Sequence, residues 1–377
     1  MRILVLIYEY PPIGGGGGKA AQEICEGLAK RSHELQVLTS HFGDLPYLQE
    51  TPNLVIRRIE VHRKQAFRAG LNTMLSYVLA ASRQGVKIAR EWKPDVIHVH
   101  FAVPCGAAAW WVNHVTHIPY VLTAHLGDVP GGSPQKTARW FRWVKPFTPP
   151  IWKNAARVVA VSQYTRQLAL EHYPVEICVI PNGVDLQRVK PSHIEPHTPP
   201  RLVFAGRFVE QKNPLQIIRT LAQLDDLPWT CTLAGDGALR QEMEAEINSH
   251  RLRDRFDLPG WVTPEQVMER YRESDILFMP SRTEGLSVVG VEALAMGLVM
   301  VLGKAGGNLE LVEQGENGYL IEPDDTAGFV KALRGLLGDP DRLRSARLKS
   351  RVMAERFDVQ RVVDAYEQLF KEVVAQQ

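Results

Sequence analysis

Only four cysteines occur in 377 residues, at positions 25, 105, 178 and 231, and no two form a Cys-x-x-Cys pair. That scatter excludes a disulfide framework or a cysteine-built zinc site. The apolar, strand-like surroundings of all four predict buried thiols in a reducing compartment, so a cytoplasmic location is expected. Long apolar runs are also missing. The longest, Leu286–Gly303, is interrupted by Glu292 and several glycines, and no membrane span is expected. The N-terminal apolar run Ile3–Tyr8 stops at Glu9 and reads as a first strand rather than a secretory leader. Nor is there an excess charge of one sign. Lys and Arg number 44 against 42 Asp and Glu, a net +2 that gives no global field to hold nucleic acid.

What is present is the composition of an ordinary soluble globular protein, 45% hydrophobic and 23% charged, with enough chain for two cores. Short apolar runs alternate with longer amphipathic segments. Ile3–Tyr8, Leu35–Thr39, Val96–His100, Tyr120–Thr123 and Arg157–Val161 read as buried parallel strands, with helix-length segments such as Ala20–Lys30 between them. Residues 188–200 contain four prolines and no periodicity, the pattern of a linker. A second series follows. Arg201–Ala205, Trp229–Ala234, Ile276–Pro280 and Val299–Leu302 read as strands, separated by helices at Pro214–Leu224, Leu239–His250, Pro264–Glu273 and Val288–Met296. The expectation is an N-terminal domain over 1–187, a linker over 188–200 and a C-terminal domain over 201–357. A final amphipathic helix at about 358–377 is a candidate to pack back on the first domain.

In such sheets ligands bind beyond the carboxyl ends of the strands, so loops that follow strands carry the interest. Five consecutive glycines, Gly14–Gly18, strip side chains from the turn before the helix at Ala20, letting backbone amides approach an anion. Ile13 and Ala20 exclude a Walker loop. After the strand at 201–205, Arg207 and Lys212 share one loop just before a helix. A forked cation and a point-charge cation suit a diphosphate, and two solvated surface cations paired with Glu210 fit the same spacing. After the strand at 276–280 comes Glu284, and eight residues later Glu292 stands among Val288, Val291, Ala295 and Met296. An acid in that setting needs a hydrogen-bonding partner, which a ribose diol would supply. The amides of Gly285, Leu286, Ser287 and Val288 would form an anion-facing helix start.

Taken together, the tracts YEYPPIGGGGG (8–18), IPNGVD (180–185), FAGRFVEQKNP (204–214), LAGDG (233–237), LPGWV (258–262), EGLSVVGVEALAMG (284–297) and GGNLELVEQGENGYLIEPDD (306–325) resemble the retaining nucleotide-sugar glycosyltransferases of family 4, also called group 1. The resemblance runs through nearly the whole chain in family order. It implies a GT-B fold, an α/β architecture of two Rossmann-like doubly wound domains facing each other across a cleft. The first domain would bind the acceptor and the second the donor.

By that resemblance Arg207 and Lys212 would hold the donor diphosphate, and Glu284 would bond hydroxyls of the transferred sugar. Glu292 would take the ribose, and Gly260 and Val262 would lie against the base. His125 would reach the sugar from the first domain, and Gly17 and Gly18 would present amides to the phosphates. Two departures stand out. Ser32 replaces the glycine common before His33, and Asn308 stands where an apolar residue or proline is common, which bears on sugar contacts.

No cofactor and no metal are expected. Asp339-Pro340-Asp341, the sole Asp-x-Asp triplet, reads as a helix-capping turn, and His98 with His100 lacks an evident third ligand. The expected partners are a nucleotide-sugar donor, UDP-glucose first and GDP-mannose second, and a glycan or lipid-linked acceptor of surface or extracellular polysaccharide synthesis. Residues 136–157 interleave six cations with aromatics and no acid. This fits peripheral contact with an anionic membrane at its inner face, or an ordinary helix with a solvated basic face. A GT-B epimerase or phosphorylase, or a silent nucleotide-sugar-binding partner, are the rival functions.

Overall fold

A computed structural model describes residues 1–66, 69–132 and 143–376. The chain divides into two compact units, Met1–Gly183 with Val359–Gln377, and Val184–Asp358.

The first unit is built on β1 (Arg2–Leu6), β2 (Glu34–Ser40), β3 (Leu48–Thr51), β4 (Leu54–Ile59), β5 (Val96–His100), β6 (Tyr120–Ala124), β7 (Arg157–Ala160) and β8 (Ile177–Val179). Their order in the sheet is β3-β4-β2-β1-β5-β6-β7-β8. All the pairings are parallel except β3 with β4. β5 and β6 are buried along their whole length, as strands covered on both faces must be.

One face is covered by α2 (Leu71–Trp92), α3 (Ala107–Thr116) and α4 (Pro149–Lys153), which bring Tyr77, Val112 and Trp152 onto Leu4, Ile97 and Leu122. The other carries α1 (Gly16–Lys30) and the C-terminal helix Val359–Ala375. That helix buries Val362, Val363, Tyr366, Phe370 and Val373, the stripe its sequence spacing predicts. Val363 lies where a Cβ on Gly27 would stand, and Arg31 binds Glu367 at 2.8 Å.

The second unit has a fully parallel sheet of β9 (Arg201–Ala205), β10 (Thr230–Ala234), β11 (Phe256–Gly260), β12 (Ile276–Met279), β13 (Val299–Gly303) and β14 (Gly318–Ile321), in the order β11-β10-β9-β12-β13-β14. Helix α5 (Gln163–Leu170) belongs to the first unit; around the second sheet run α6 (Leu215–Leu221), α7 (Arg240–Ser249), α8 (Pro264–Arg272), α9 (Val288–Ala295), α10 (Thr326–Leu337) and α11 (Pro340–Met353). Numbered within the unit, the strand order is 3-2-1-4-5-6, which reverses direction between β9 and β12. The first unit reverses likewise between β1 and β5. Both switch points open loops where ligands bind in doubly wound sheets.

Residues 188–200 lie within the second unit, held by Arg347 through the carbonyls of His193 and Glu195. Asp339 caps α11, its carboxylate accepting from the Arg342 amide at 3.0 Å, as the Gly-Asp-Pro turn predicts. One expectation is corrected. Cys25, Cys105 and Cys231 are buried, but Cys178 is exposed, on β8 at the edge of its sheet.

Candidate functional site

In the second unit the loops after β9 and β12 form one structure. The amide of Arg282 donates to the Gln211 carbonyl at 2.9 Å, and the Gln211 side-chain amide donates to the Thr283 carbonyl at 3.0 Å. Arg282 also bonds Asp324 at 2.6 Å and Glu210 at 3.0 Å. So docked, the β9 loop delivers Lys212 to Glu284, Nζ to Oε1 at 2.5 Å, with both groups largely buried. Residues 72 apart in the chain thus share one pocket edge. Glu210, the partner that the surface-cation reading assigns to the loop, is occupied by Arg282 instead. Arg207 is half-buried, and among the described residues its guanidinium has no side-chain partner. An uncompensated cation beside a lysine–carboxylate pair is a place for an anion.

The turn after Glu284 is shaped by Gly307, whose amide donates to the Glu284 carbonyl at 3.0 Å. A Cβ at 307 would stand 1.3 Å from the Gly285 carbonyl oxygen, so only glycine fits. Ser287 caps α9, its hydroxyl accepting from the Gly290 amide at 3.3 Å. The helix start expected near 287 is therefore in place, with Gly285, Leu286, Ser287 and Val288 leading into it. Glu292 is buried on the second turn of α9, as its apolar neighbours imply. Gly260 and Val262 lie at the end of β11, two strands from β9. A run of backbone bonds, from Gly206 to Ala234, Phe208 to Asp236 and Gly235 to Gly260, ties their loop to the cationic one. Asn308 is fully buried and donates to the Gly303 carbonyl at 3.0 Å, which makes it a brace for its loop.

In the first unit the switch point gathers Gly17, Phe101 and His125. α1 starts at Gly16 with no side chain capping it, so its first amides are open to an external acceptor. Gly17 and Gly18 lie in that first turn. His125 follows β6 and stacks on Phe101 with centroids 4.4 Å apart. Asp128 fixes the loop by accepting from the amides of His125 at 2.8 Å and Val103 at 3.2 Å. Behind His125 stands His100, Nδ1 to Nε2 at 3.5 Å, and then His98, which bonds Thr123 at 2.9 Å; Thr123 in turn meets Tyr366 of the C-terminal helix at 3.0 Å. His98 and His100 are thus buried, each with one ring nitrogen engaged, and among the described residues no three His, Cys, Asp or Glu groups could hold a metal ion.

Phe101, His100, Asp128, Gly307 and Gln211 are missed by the sequence reading. Asp128 was within reach, because an acid three residues after His125 is a capping pattern. Phe101 was not. Its backbone has φ 72°, unusual for a non-glycine residue, and nothing in its neighbours' identities marks it.

Gly17 has a testable consequence. A Cβ there would stand 2.6 Å from the Phe101 ring and 3.3 Å from His125 Cε1. Gly17→Ala is expected to push both rings aside and lower kcat/KM about tenfold, at a stability cost of ~1 kcal/mol. A variant with unchanged kcat/KM would show that these rings do not set the reaction geometry.

Burial pushes His125 down to about 4 and His98 to about 3, with His100 also well below its usual value, and raises Asp128 to about 7. The sign differs between the two kinds of group. The depressed histidines contribute stability above about 6.5 that is lost as pH falls toward their folded values. The raised Asp128 works the other way, since the folded state holds its proton more tightly and gains as pH falls below 7. From pH 7 to 5 three histidines lose stability where one acid gains it, so the histidines outweigh the acid. Urea unfolding should show a net loss of stability on acidification, and a larger loss in Asp128→Asn, where the counterweight is gone. An equal loss in both proteins would contradict the assignment.

Comparison with known proteins bears on these loops. Residues 14–188 match the model of Glycosyltransferase Family 4, and residues 186–352 match Glycosyl transferases group 1. Glycogen synthase of Mycobacterium tuberculosis is 27% identical, the alignment covering 98% of this chain and 94% of that protein. Among solved structures, sucrose-phosphate synthase from Thermosynechococcus elongatus superposes with TM-score 0.88 at 19% identity over all of both chains. Anabaena HepE in complex with UDP-glucose superposes with TM-score 0.76 at 20% identity, again over all of both chains.

Proposed function

We propose, from the premise that this chain belongs to the family 4, or group 1, glycosyltransferases of GT-B fold, that it moves a hexose from a nucleoside diphosphate sugar to a glycan or lipid-linked acceptor. The observation that carries the donor part is the meeting of Lys212 and Glu284 at 2.5 Å in the loop that also holds Arg207, whose guanidinium has no side-chain partner among the described residues, close to the start of α9. Arg207 and Lys212 hold the diphosphate. Glu284 takes sugar hydroxyls, assisted by the amides of Gly285, Leu286, Ser287 and Val288. Glu292 receives the ribose, and the base lies against Gly260 and Val262. From the first unit His125 hydrogen-bonds the transferred sugar, and the amides of Gly17 and Gly18 face phosphate.

Transfer proceeds with retention and without a metal. The acceptor oxygen bonds to the anomeric carbon on the face that the phosphate leaves. The carbon–oxygen bond to phosphate breaks with its electron pair going to the phosphate oxygen, which takes the acceptor's proton. Two cations and a helix start offset the charge that develops. Glucose from UDP-glucose is the favoured donor, supported by the likeness to HepE, with mannose from GDP-mannose second. The setting is the synthesis of surface or extracellular polysaccharide in the cytoplasm, with peripheral contact at the inner membrane face. Of the basic, aromatic stretch 136–157 that suggests such contact, residues 136–142 lie outside the described residues. No helix among the described residues is long and apolar enough to cross a membrane.

The test is a panel of UDP, GDP and ADP sugars read by thermal shift and by nucleotide release with and without acceptor. UDP-glucose is expected to raise the unfolding temperature most, since a ligand that binds only the folded state stabilises it. A panel in which no activated sugar moves the transition overturns the reading.

A further inference from the structure

Helix α2 packs through Thr73, Tyr77, Ala81, Gly85, Ile88 and Ala89. Its opposite side is unusual. Leu71, Leu75 and Leu79 project into solvent, the last two 63% and 67% exposed. Continuing along the same side come Arg83, Lys87 and Arg90, so one flank is apolar in its first half and cationic in its second. Beside this flank, between α2, α3 and the segment 146–151, runs an open groove of about 1150 Å³. Val86, Trp110 and Ile151 line it, and Trp111 and Phe147 stand at its rim, Phe147 being 75% exposed. Among the described residues the one acid on the groove is Glu91, which faces Lys87 at 4.0 Å.

Single exposed leucines are ordinary on soluble proteins. Three on one helix side, continuous with exposed aromatics and a groove, are an interaction surface. The chemistry of the occupant follows from the charges. Lysine and arginine beside protruding leucine and aromatic rings, with a single acid that is already paired, complement phosphate headgroups above an apolar layer. A protein partner would be met by a surface poorer in lysine at its centre. We infer that the flank formed by Leu71, Leu75, Leu79, Arg83, Lys87 and Arg90, with the groove beside it, docks the protein on an anionic phospholipid bilayer. The inference rests on the peripheral-membrane part of the proposed function and shifts the main contact from the cations of the 136–157 stretch to α2, keeping only residues 146–151 of that stretch as one wall of the groove. From 71 to 90 the helix runs about 28 Å, long enough to lie along a membrane rather than touch it at a point.

The experiment is co-sedimentation of the full chain with phosphatidylcholine vesicles, with and without phosphatidylglycerol. Wild type is expected to bind only the anionic vesicles and to weaken as salt is raised. The pair Arg83→Glu and Lys87→Glu should lower partitioning by more than about 30-fold, the loss of two cations at about 1 kcal/mol each plus the repulsion of the two new carboxylates. Leu75→Glu with Leu79→Glu should lower it at least as much. Unchanged thermal stabilisation by UDP-glucose in these variants shows that they fold, and Arg83→Gln with Lys87→Gln gives a milder second pair. Equal binding to neutral vesicles overturns the inference. If the α2 variants bind as wild type while Lys145→Glu with Lys153→Glu does not, the membrane reading stands and the α2 surface is wrong. No binding by any form defeats both. Self-association abolished by the α2 changes, without vesicle binding, would identify a second copy as the occupant and also overturn it.

Discussion

Lys212→Ala is expected to lower kcat/KM by about 10²–10³-fold, the loss seen when one preorganised charge-stabilising donor is removed from a transition state. Removing Lys212 also perturbs the fold. Lys212 and Glu284 are largely buried and bonded at 2.5 Å, so removing the lysine leaves Glu284 as a buried acid without its cation. Breaking such a pair from one side costs about 3–5 kcal/mol where both groups are desolvated, and somewhat less here because Lys212 keeps some solvent contact. Lost activity alone would therefore be ambiguous between chemistry and stability. Adding Glu284→Gln to Lys212→Ala separates them. The double variant removes the orphaned charge and should recover most of the unfolding temperature, while activity stays as low as in either single variant. Arg207→Ala offers a second check. Its guanidinium has no side-chain partner among the described residues, so the fold should be indifferent to the change while kcat falls by a similar factor. Near wild-type turnover in Arg207→Ala and Lys212→Ala would remove the diphosphate from this loop.

How far these loops were legible beforehand follows from what marks a residue in sequence. The strands at β1, β5, β9, β12 and β13 are short apolar runs flanked by turns, because both faces of a parallel sheet are covered and no alternation is needed. β4 is different. Near the sheet edge it alternates buried and half-buried positions and carries Arg57 and Arg58, so it reads as part of a charged stretch. Arg58 is nonetheless buried, bonding the Pro46 carbonyl at 2.9 Å, a partner that no local pattern reveals.

The same division holds at the site. Arg207, Lys212 and Glu284 are charged groups in loops that follow strands, and Glu292 is an acid among apolar neighbours on a helix, so the sequence marks them as candidates, and the family resemblance gives them roles. The groups that place them are not conspicuous. Gly307 is one glycine among 29, and its need for a bare Cα depends on the carbonyl of Gly285, which only the folded chain brings near. His100 reads as a satisfied strand-end histidine beside His98, and nothing in that spacing shows that it stands behind His125 in a buried row that ends on Tyr366, 243 residues from Thr123. Contacts of that sequence separation carry no periodic signal. What the flanking prolines suggested of 188–200, a linker, says nothing of the charge that anchors it.

That anchor is the source of the second large effect. Arg347 and Asp275 are almost wholly buried and bonded at 2.6 Å. Arg347 also donates to the carbonyls of Gly297 at 3.1 Å and Glu195 at 3.1 Å, and Asp275 accepts from the amides of Arg201 at 2.8 Å and His197 at 3.2 Å. One pair thus ties α11, the turn after α9, the start of β9 and the segment 188–200. Burial lowers the Arg347 pKa, yet an arginine stays protonated at any accessible pH, so the charge cannot be shed to relieve the cost. Arg347→Met keeps length and apolar contact but takes the buried guanidinium from the Asp275 carboxylate, leaving it the amides of Arg201 and His197 and the His197 ring at 3.0 Å. A loss of about 3–5 kcal/mol is expected, which for a unit of this size is a fall of roughly 6–20 °C in unfolding temperature. Arg347→Lys should lose about half as much. It retains the positive charge, but a point ammonium cannot reach Asp275 and the surrounding carbonyls together as the planar fork does. Differential scanning calorimetry distinguishes the cases. If Arg347→Met melts within about 2 °C of wild type, the pair contributes less than 1 kcal/mol and the 188–200 segment is held by its apolar contacts instead.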